Sequence, residues 1–127
     1  MIVYTSTTSN VKISVRSLFV EKESNILTKQ FIFIYFIKIE NKLNEDIQLL
    51  QREWKIVDSN RKVKTVKGNG VIGQQPIISP NESFSYNSFS VIETFEGTME
   101  GNYLFQKNNG ELFRVKIPKF FLKANTN

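Results

Sequence analysis

Gly68-Asn69-Gly70-Val71-Ile72-Gly73-Gln74-Gln75-Pro76 decides how this chain of 127 residues is read. The stretch fits G-x-G-x-x-G, a pattern that in dinucleotide-binding α/β folds follows a strand and opens a helix whose N-terminus meets a pyrophosphate. A strand before it is expected, because Lys62-Val63-Lys64-Thr65-Val66-Lys67 alternates and carries β-branched residues. A helix after it is not: Pro76 and Pro80 follow Gly73 closely, and Ile77-Ile78 between them is too short. Glu93 stands about 20 residues on, where such folds place a ribose-binding acid, but without a βαβ unit that spacing carries no meaning. The glycines therefore read as turn or bulge residues that need positive φ. The alternative for the same residues is a nest of backbone N–H groups around an anion.

On either side of this stretch, strand signals dominate. Val11, Ile13 and Val15 alternate with Lys12, Ser14 and Arg16. Gln30 to Glu40 is the strongest strand: Phe31, Phe33, Tyr35, Ile37 and Ile39 share one face, and Ile32, Ile34 and Phe36 the other. Apolar residues on both faces predict a central strand, or one whose outer face is covered by another segment or a partner. Ile47 to Asp58 changes phase around Gln51-Arg52-Glu53, which predicts a bulge. Ser83 to Ile92 carries an alternating apolar set at Phe84 and Tyr86, continuing at Phe89 and Val91. Asn108-Asn109-Gly110 is a hairpin turn, and Leu112 to Ile117 alternates again up to Pro118, which ends the strand or marks an edge. About seven or more short strands with turns between them predict an all-β, antiparallel two-sheet sandwich. We read residues 1–127 as a single domain, with 1–10 and 123–127 peripheral.

Composition narrows the chemistry. The chain has no cysteine and no histidine, which removes disulfides, thiolate chemistry, the usual zinc ligands and every Ser-His or Cys-His nucleophile. A hard cation held by oxygen remains open, and Glu93, Glu96 and Glu100 are the candidate ligands or acid–base pair, against simple solvation near turns. The net charge of +5 leans toward anionic partners. Arg61, Lys62, Lys64 and Lys67 form a basic strip beside the glycines, with Lys64 and Lys67 the cations expected at an anion site formed by Gly68, Gly70 and Gly73. A charged edge strand explains the same strip. Trp54, the single tryptophan, reads as a core anchor, with Arg52 on its face. No signal peptide and no membrane-length apolar run is present, so a cytoplasmic protein without membrane insertion is expected.

Taken together, Trp54-x-Ile56-x-Asp58, Gly68-x-Gly70-Val71-x-Gly73-x-Gln75-Pro76, Phe84-x-Tyr86, Thr94, Gly97-x-Met99-x-Gly101-x-Tyr103 and Ile117-Pro118-x-Phe120 closely resemble the ApaG family. The likeness runs roughly from Val11 to Leu122. It implies a fibronectin type III-like (immunoglobulin-like) sandwich and a module that binds a protein partner, with a link to cobalt resistance and magnesium efflux; a non-enzymatic role is expected from the residues themselves, which show no nucleophile–base pair, metal cluster or cofactor motif in its proper context. It also implies a pyrophosphate site at Gly68, Gly70 and Gly73, hence a phosphate-containing small molecule or nucleotide as the alternative ligand. No cofactor is expected, nucleic acid is not expected, and a sheet-extended dimer is open. Three positions depart from the family pattern: Asn60-Arg61 after Asp58, Asn81 after Pro80, and Phe89 after Ser88. Asparagine tolerates left-handed backbone and can serve the first two turns. Phe89 puts the local turn geometry in question.

Overall fold

The computed structural model describes residues 2–124. They form β1 (Tyr4–Thr8), β2 (Val11–Phe19), a one-turn 3₁₀ helix (Glu21–Glu23), β3 (Phe31–Asn41), β4 (Ile47–Asp58), β5 (Val63–Asn69), β6 (Ile77–Ile78), β7 (Ser83–Ile92), β8 (Glu96–Lys107) and β9 (Leu112–Lys123). One antiparallel sheet has the order β1-β2-β3-β7, and the other β5-β4-β8-β9 with β6 also paired to β4. The two sheets pack face to face as the predicted sandwich. Of the segments expected to be peripheral, Tyr4–Thr8 pairs with β2 as an edge strand, and Lys123 pairs with Glu96 at the end of β9. Met1 and residues 125–127 lie outside the described residues.

The period-2 patterns explain the core. On β2, Val11, Ile13 and Val15 are buried, and on β3 Phe31, Phe33, Tyr35, Ile37 and Ile39 are buried. Each such side chain removed from water contributes about 1.5–3 kcal/mol. Trp54 lies between the sheets, with Tyr35 edge-on at 5.3 Å and Phe120 edge-on at 5.9 Å between ring centroids. The predicted phase change in β4 is a register shift between Leu49 and Gln51. It puts Arg52, Trp54 and Ile56 in step with each other. Pro118 does not end β9: it occupies a second irregularity opposite Glu100, and the strand runs on to bury Phe120 and Leu122.

The turns mostly use their expected residues. Asn81 has φ +63°. After Asp58 the left-handed residue is Arg61 (φ +63°) rather than Asn60, whose N–H donates to Asp58 Oδ1 at 2.9 Å. Phe89 is in no turn at all: it lies within β7, paired with Ile34. The inward face of β7 continues from Tyr86 through Ser88 and Ser90 to Ile92, so Phe89 and Val91 fall on the outer face instead of continuing the Phe84–Tyr86 set.

The two flanks of the sandwich differ. On one, β1 and β2 are stitched to β9 by Ser6 Oγ donating to Lys116 O (2.8 Å), Ser17 Oγ to Phe121 O (3.0 Å) and Lys116 N–H to Thr8 Oγ1 (3.3 Å). On the other, the edges of β5 and β7 diverge, leaving a cleft of 330 Å³ that reaches down to Tyr35, Trp54 and Met99.

Candidate functional site

Each loop glycine has a local structural reason. Gly73 (φ +76°) and Ile72 (φ +45°) are the two central residues of a tight hairpin closed by Val71 N–H to Gln74 O (2.8 Å) and Gln74 N–H to Val71 O (2.9 Å). Positive φ at both positions is the signature of a type I′ turn. Gly70 (φ +63°) packs so closely on the Gln74 carbonyl that a Cβ would overlap it. Gly68 leaves room for the Arg52 guanidinium, whose Nη1 would lie 2.7 Å from a Cβ there. Arg52 Nη1 in turn donates to Asn69 O (3.1 Å) and Gly70 O (3.0 Å), so it clamps the loop from below. Arg52, which shares the Trp54 face of the strand, thus has a structural role through these carbonyl bonds.

An anion nest needs convergent, unspent N–H groups. Here Gly70 N–H donates to Leu50 O at 2.8 Å, and those of Val71 and Gln74 close the hairpin. The cations grouped beside the loop are also divided. Lys64 pairs with Ile56 on the inner side of β5, and Lys67 pairs with Glu53 on the outer side. Lys67 Nζ is 3.8 Å from Glu53, which also lies 3.9 Å from Arg114. These groups line a 220 Å³ hollow with Arg52, Gly68 and Asn69; Gly70 and Gly73 are not among its lining residues. Of the expected set, Gly68 and Lys67 share this hollow, Gly70 and Gly73 belong to the hairpin turn, and Lys64 lies on the inner side of β5.

The carboxylate cluster is not assembled either. Glu93 sits in the β7–β8 turn with Lys62 Nζ at 3.4 Å, while Glu96 and Glu100 are carried by β8. Among the described residues no group of three Asp or Glu side chains could hold a metal ion. The three acidic residues are close in sequence, but the turn and strand carry them apart.

What the fold does gather is an apolar surface around β7. On the outer face of the four-stranded sheet, Ile34 pairs with Phe89 on one side and Leu18 on the other, and Ile32 pairs with Val91. Ile32, Ile34 and Phe36 are half-buried, Phe89 is 66% exposed and Val91 41%. Arg16 Cζ lies 4.6 Å above the Phe36 ring centroid. The face continues into a shallow groove of 490 Å³ between Val3, Arg16, Phe36 and Asn87. On the other side of the same strand, Ser88 and Ser90 form one wall of the flank cleft, opposite Lys64 and Val66. The signal for this surface is present in the sequence: Ser83 to Ile92 has serine where its inward apolar residues should continue, and phenylalanine and valine where it should be polar.

Deeper between the sheets, Tyr86 and Tyr103 share a buried hydrogen bond of 2.5 Å between their hydroxyls. Burial pushes both phenols well above their ordinary range, and it raises Tyr35 as well.

Comparison with known proteins agrees with this architecture. The ApaG domain family matches residues 21–107. The Protein ApaG of Methylobacterium sp. (strain 4-46) is 40% identical over 119 residues, covering 94% of this chain and 92% of the relative. The Protein ApaG of Pectobacterium carotovorum is 43% identical over 112 residues, covering 88% of this chain and 90% of the relative. The crystal structure of a Bordetella pertussis protein described as ApaA superposes with a TM-score of 0.88 at 35% identity, over 92% of this chain and 95% of that one. The chain belongs to the ApaG family.

Proposed function

We propose that this chain is a non-catalytic protein-interaction module of the cytoplasm, and that it receives a partner on the outer face of the β1-β2-β3-β7 sheet. The observation that carries this reading is the cross-strand run Leu18–Ile34–Phe89, flanked by Ile32–Val91 and Phe36, on a face that water would otherwise cover. Phe89 in particular is exposed on a strand paired along its length with β3, a setting in which an aromatic can anchor an interface. The absence of histidine and cysteine from the sequence agrees with a role in binding. In this reading, any part in cobalt resistance or magnesium efflux, which the family likeness implies, runs through the partner and not through a metal held by Glu93, Glu96 and Glu100. No helix among the described residues is long and apolar enough to cross a membrane.

The test is affinity capture from bacterial lysate by the wild-type chain and by the double variant Phe89→Asp, Val91→Asp. Both positions are exposed, so the fold is expected to survive. The reading requires that a captured protein disappear with the variant while its urea midpoint stays near that of the wild type. Identical capture by both proteins refutes it.

A further inference from the structure

The sandwich has four terminal strands, and three of them carry features that discourage a further strand from adding. Strand β9 has Pro118, an irregular register and the cations Arg114, Lys116 and Lys119; β5 carries Lys64 and Lys67; β1 is five residues long and tied to β9 across the closed flank. Strand β7 has none of these. Its ten residues include no charge and no proline, and its register against β3 runs from Ile92 to Ser83 without a shift. The hydrogen bond from Asn41 N–H to Glu82 O sets the phase of that ladder. Counting along it, the even-numbered residues turn their amides toward β3, and Ser85, Asn87, Phe89 and Val91 present N–H and C=O groups to the open edge.

We propose that the free edge of β7 takes up an extended peptide of a partner protein as a fifth strand of this sheet, with an acidic side chain turned into the flank cleft against Lys64. The proposal rests on the interaction-module reading and names the chemistry of the partner. Side chains of an added strand alternate between two surroundings. On the outer face they meet Phe89 and Val91 and are apolar; on the inner side they enter the cleft beside Ser88, Ser90 and Lys64. Among the described residues Lys64 has no ion-pair partner, in contrast to Lys62 and Lys67. A carboxylate is the complement of that site. A second copy of the chain fits less well: pairing β7 with itself turns the β5 edges of the two copies toward each other and brings a Lys64, not a carboxylate, to each cleft.

The experiment is an amide NMR titration of the full chain with a short synthetic peptide of alternating valine and glutamate, and with its valine–lysine counterpart. Saturable shifts and slowed hydrogen exchange at Ser85, Asn87, Phe89 and Val91 are expected with the first peptide, and binding about tenfold weaker or less with the second. Lys64→Glu, at an exposed position, reverses the preference, and Asn87→Pro, which removes an edge donor, abolishes binding; if the proline variant does not fold, the Lys64 variant carries the test. Equal affinity for both peptides, a preference unchanged by Lys64→Glu, or shifts centred on β5 or β9 overturn the proposal. So do β7 shifts that grow with protein concentration in the absence of peptide, which assign the edge to a second copy. Failure of the peptide to bind while Phe89→Asp, Val91→Asp still loses its captured partner removes the edge site alone and leaves the outer-face reading intact.

Discussion

Single replacements of Gly68, Gly70 and Gly73 by alanine test whether the glycine motif is held by the fold, because the structure assigns each a different cost. At Gly73 a Cβ meets nothing within 4 Å, so the cost is the left-handed backbone alone, about 1–2 kcal/mol. At Gly70 the same backbone cost applies, and the Cβ also overlaps the Gln74 carbonyl. That carbonyl cannot retreat without opening the Val71–Gln74 hairpin, whose two hydrogen bonds add about 1 kcal/mol each. The sum for Gly70→Ala is then about 3–4 kcal/mol. At Gly68 the colliding group is the end of the Arg52 side chain, which can swing away. The variant loses the clamp on Asn69 O and Gly70 O but recovers about 0.5–1 kcal/mol from replacing glycine within a strand, for a net loss of about 1 kcal/mol. Urea unfolding reports all three, because Trp54 is the single tryptophan and is 3% exposed. The reasoning fails if Gly70→Ala costs no more than Gly73→Ala.

Other outcomes follow from the interior. Tyr35, Tyr86 and Tyr103 hold their protons above the ordinary tyrosine value of 10.0, mainly through burial, whereas the unfolded chain releases them near that value. Stability from these groups is therefore complete below pH 10.0 and declines as pH rises above it, which urea midpoints followed through that range will show. Phenolate absorbance developing fully before the fold is lost would contradict this. Tyr103→Phe strands the Tyr86 hydroxyl in the interior and is expected to cost about 1–3 kcal/mol, while the double replacement by phenylalanine costs less than the sum of the two single ones, a non-additivity that a double-mutant cycle measures. Asn41 is fully buried, with Nδ2 donating to Glu45 O (2.8 Å) and Ile78 O (2.9 Å) and Oδ1 accepting from Leu43 N–H (2.9 Å). Asn41→Ala is expected to lower the free energy of unfolding by about 3 kcal/mol, and a loss below about 1 kcal/mol would show that water replaces those bonds.

The sandwich was legible because its central strands announce their own period. In β3 every second residue from Phe31 to Ile39 is buried, as alternation alone requires. Strand β1 was not legible: Tyr-Thr-Ser-Thr-Thr has no apolar alternation, and it is held by pairing with β2 and by hydrogen bonds to residues more than a hundred positions away. The candidate site was less legible for two reasons. Lys64 and Lys67 are close in sequence, yet residues three apart in a strand point to opposite faces, so the strand itself separates them. The apolar phase of β7 changes after Tyr86 because its inner side faces an open flank there, and only the divergence of β5 from β7 explains why serines suffice at 88 and 90. The same divergence accounts for the outer aromatic. A strand whose inner side has only serines at 88 and 90 between the buried Tyr86 and Ile92, and whose outer side displays Phe89, has hydrophobic surface arranged for something other than its own core. The glycine motif points the same way. Its positive-φ residues, the bonded N–H groups of Gly70, Val71 and Gln74 and its Arg52 clamp turn the chain after β5, so residues that look like a ligand loop hold the edge in place, across the cleft from the apolar surface of β7.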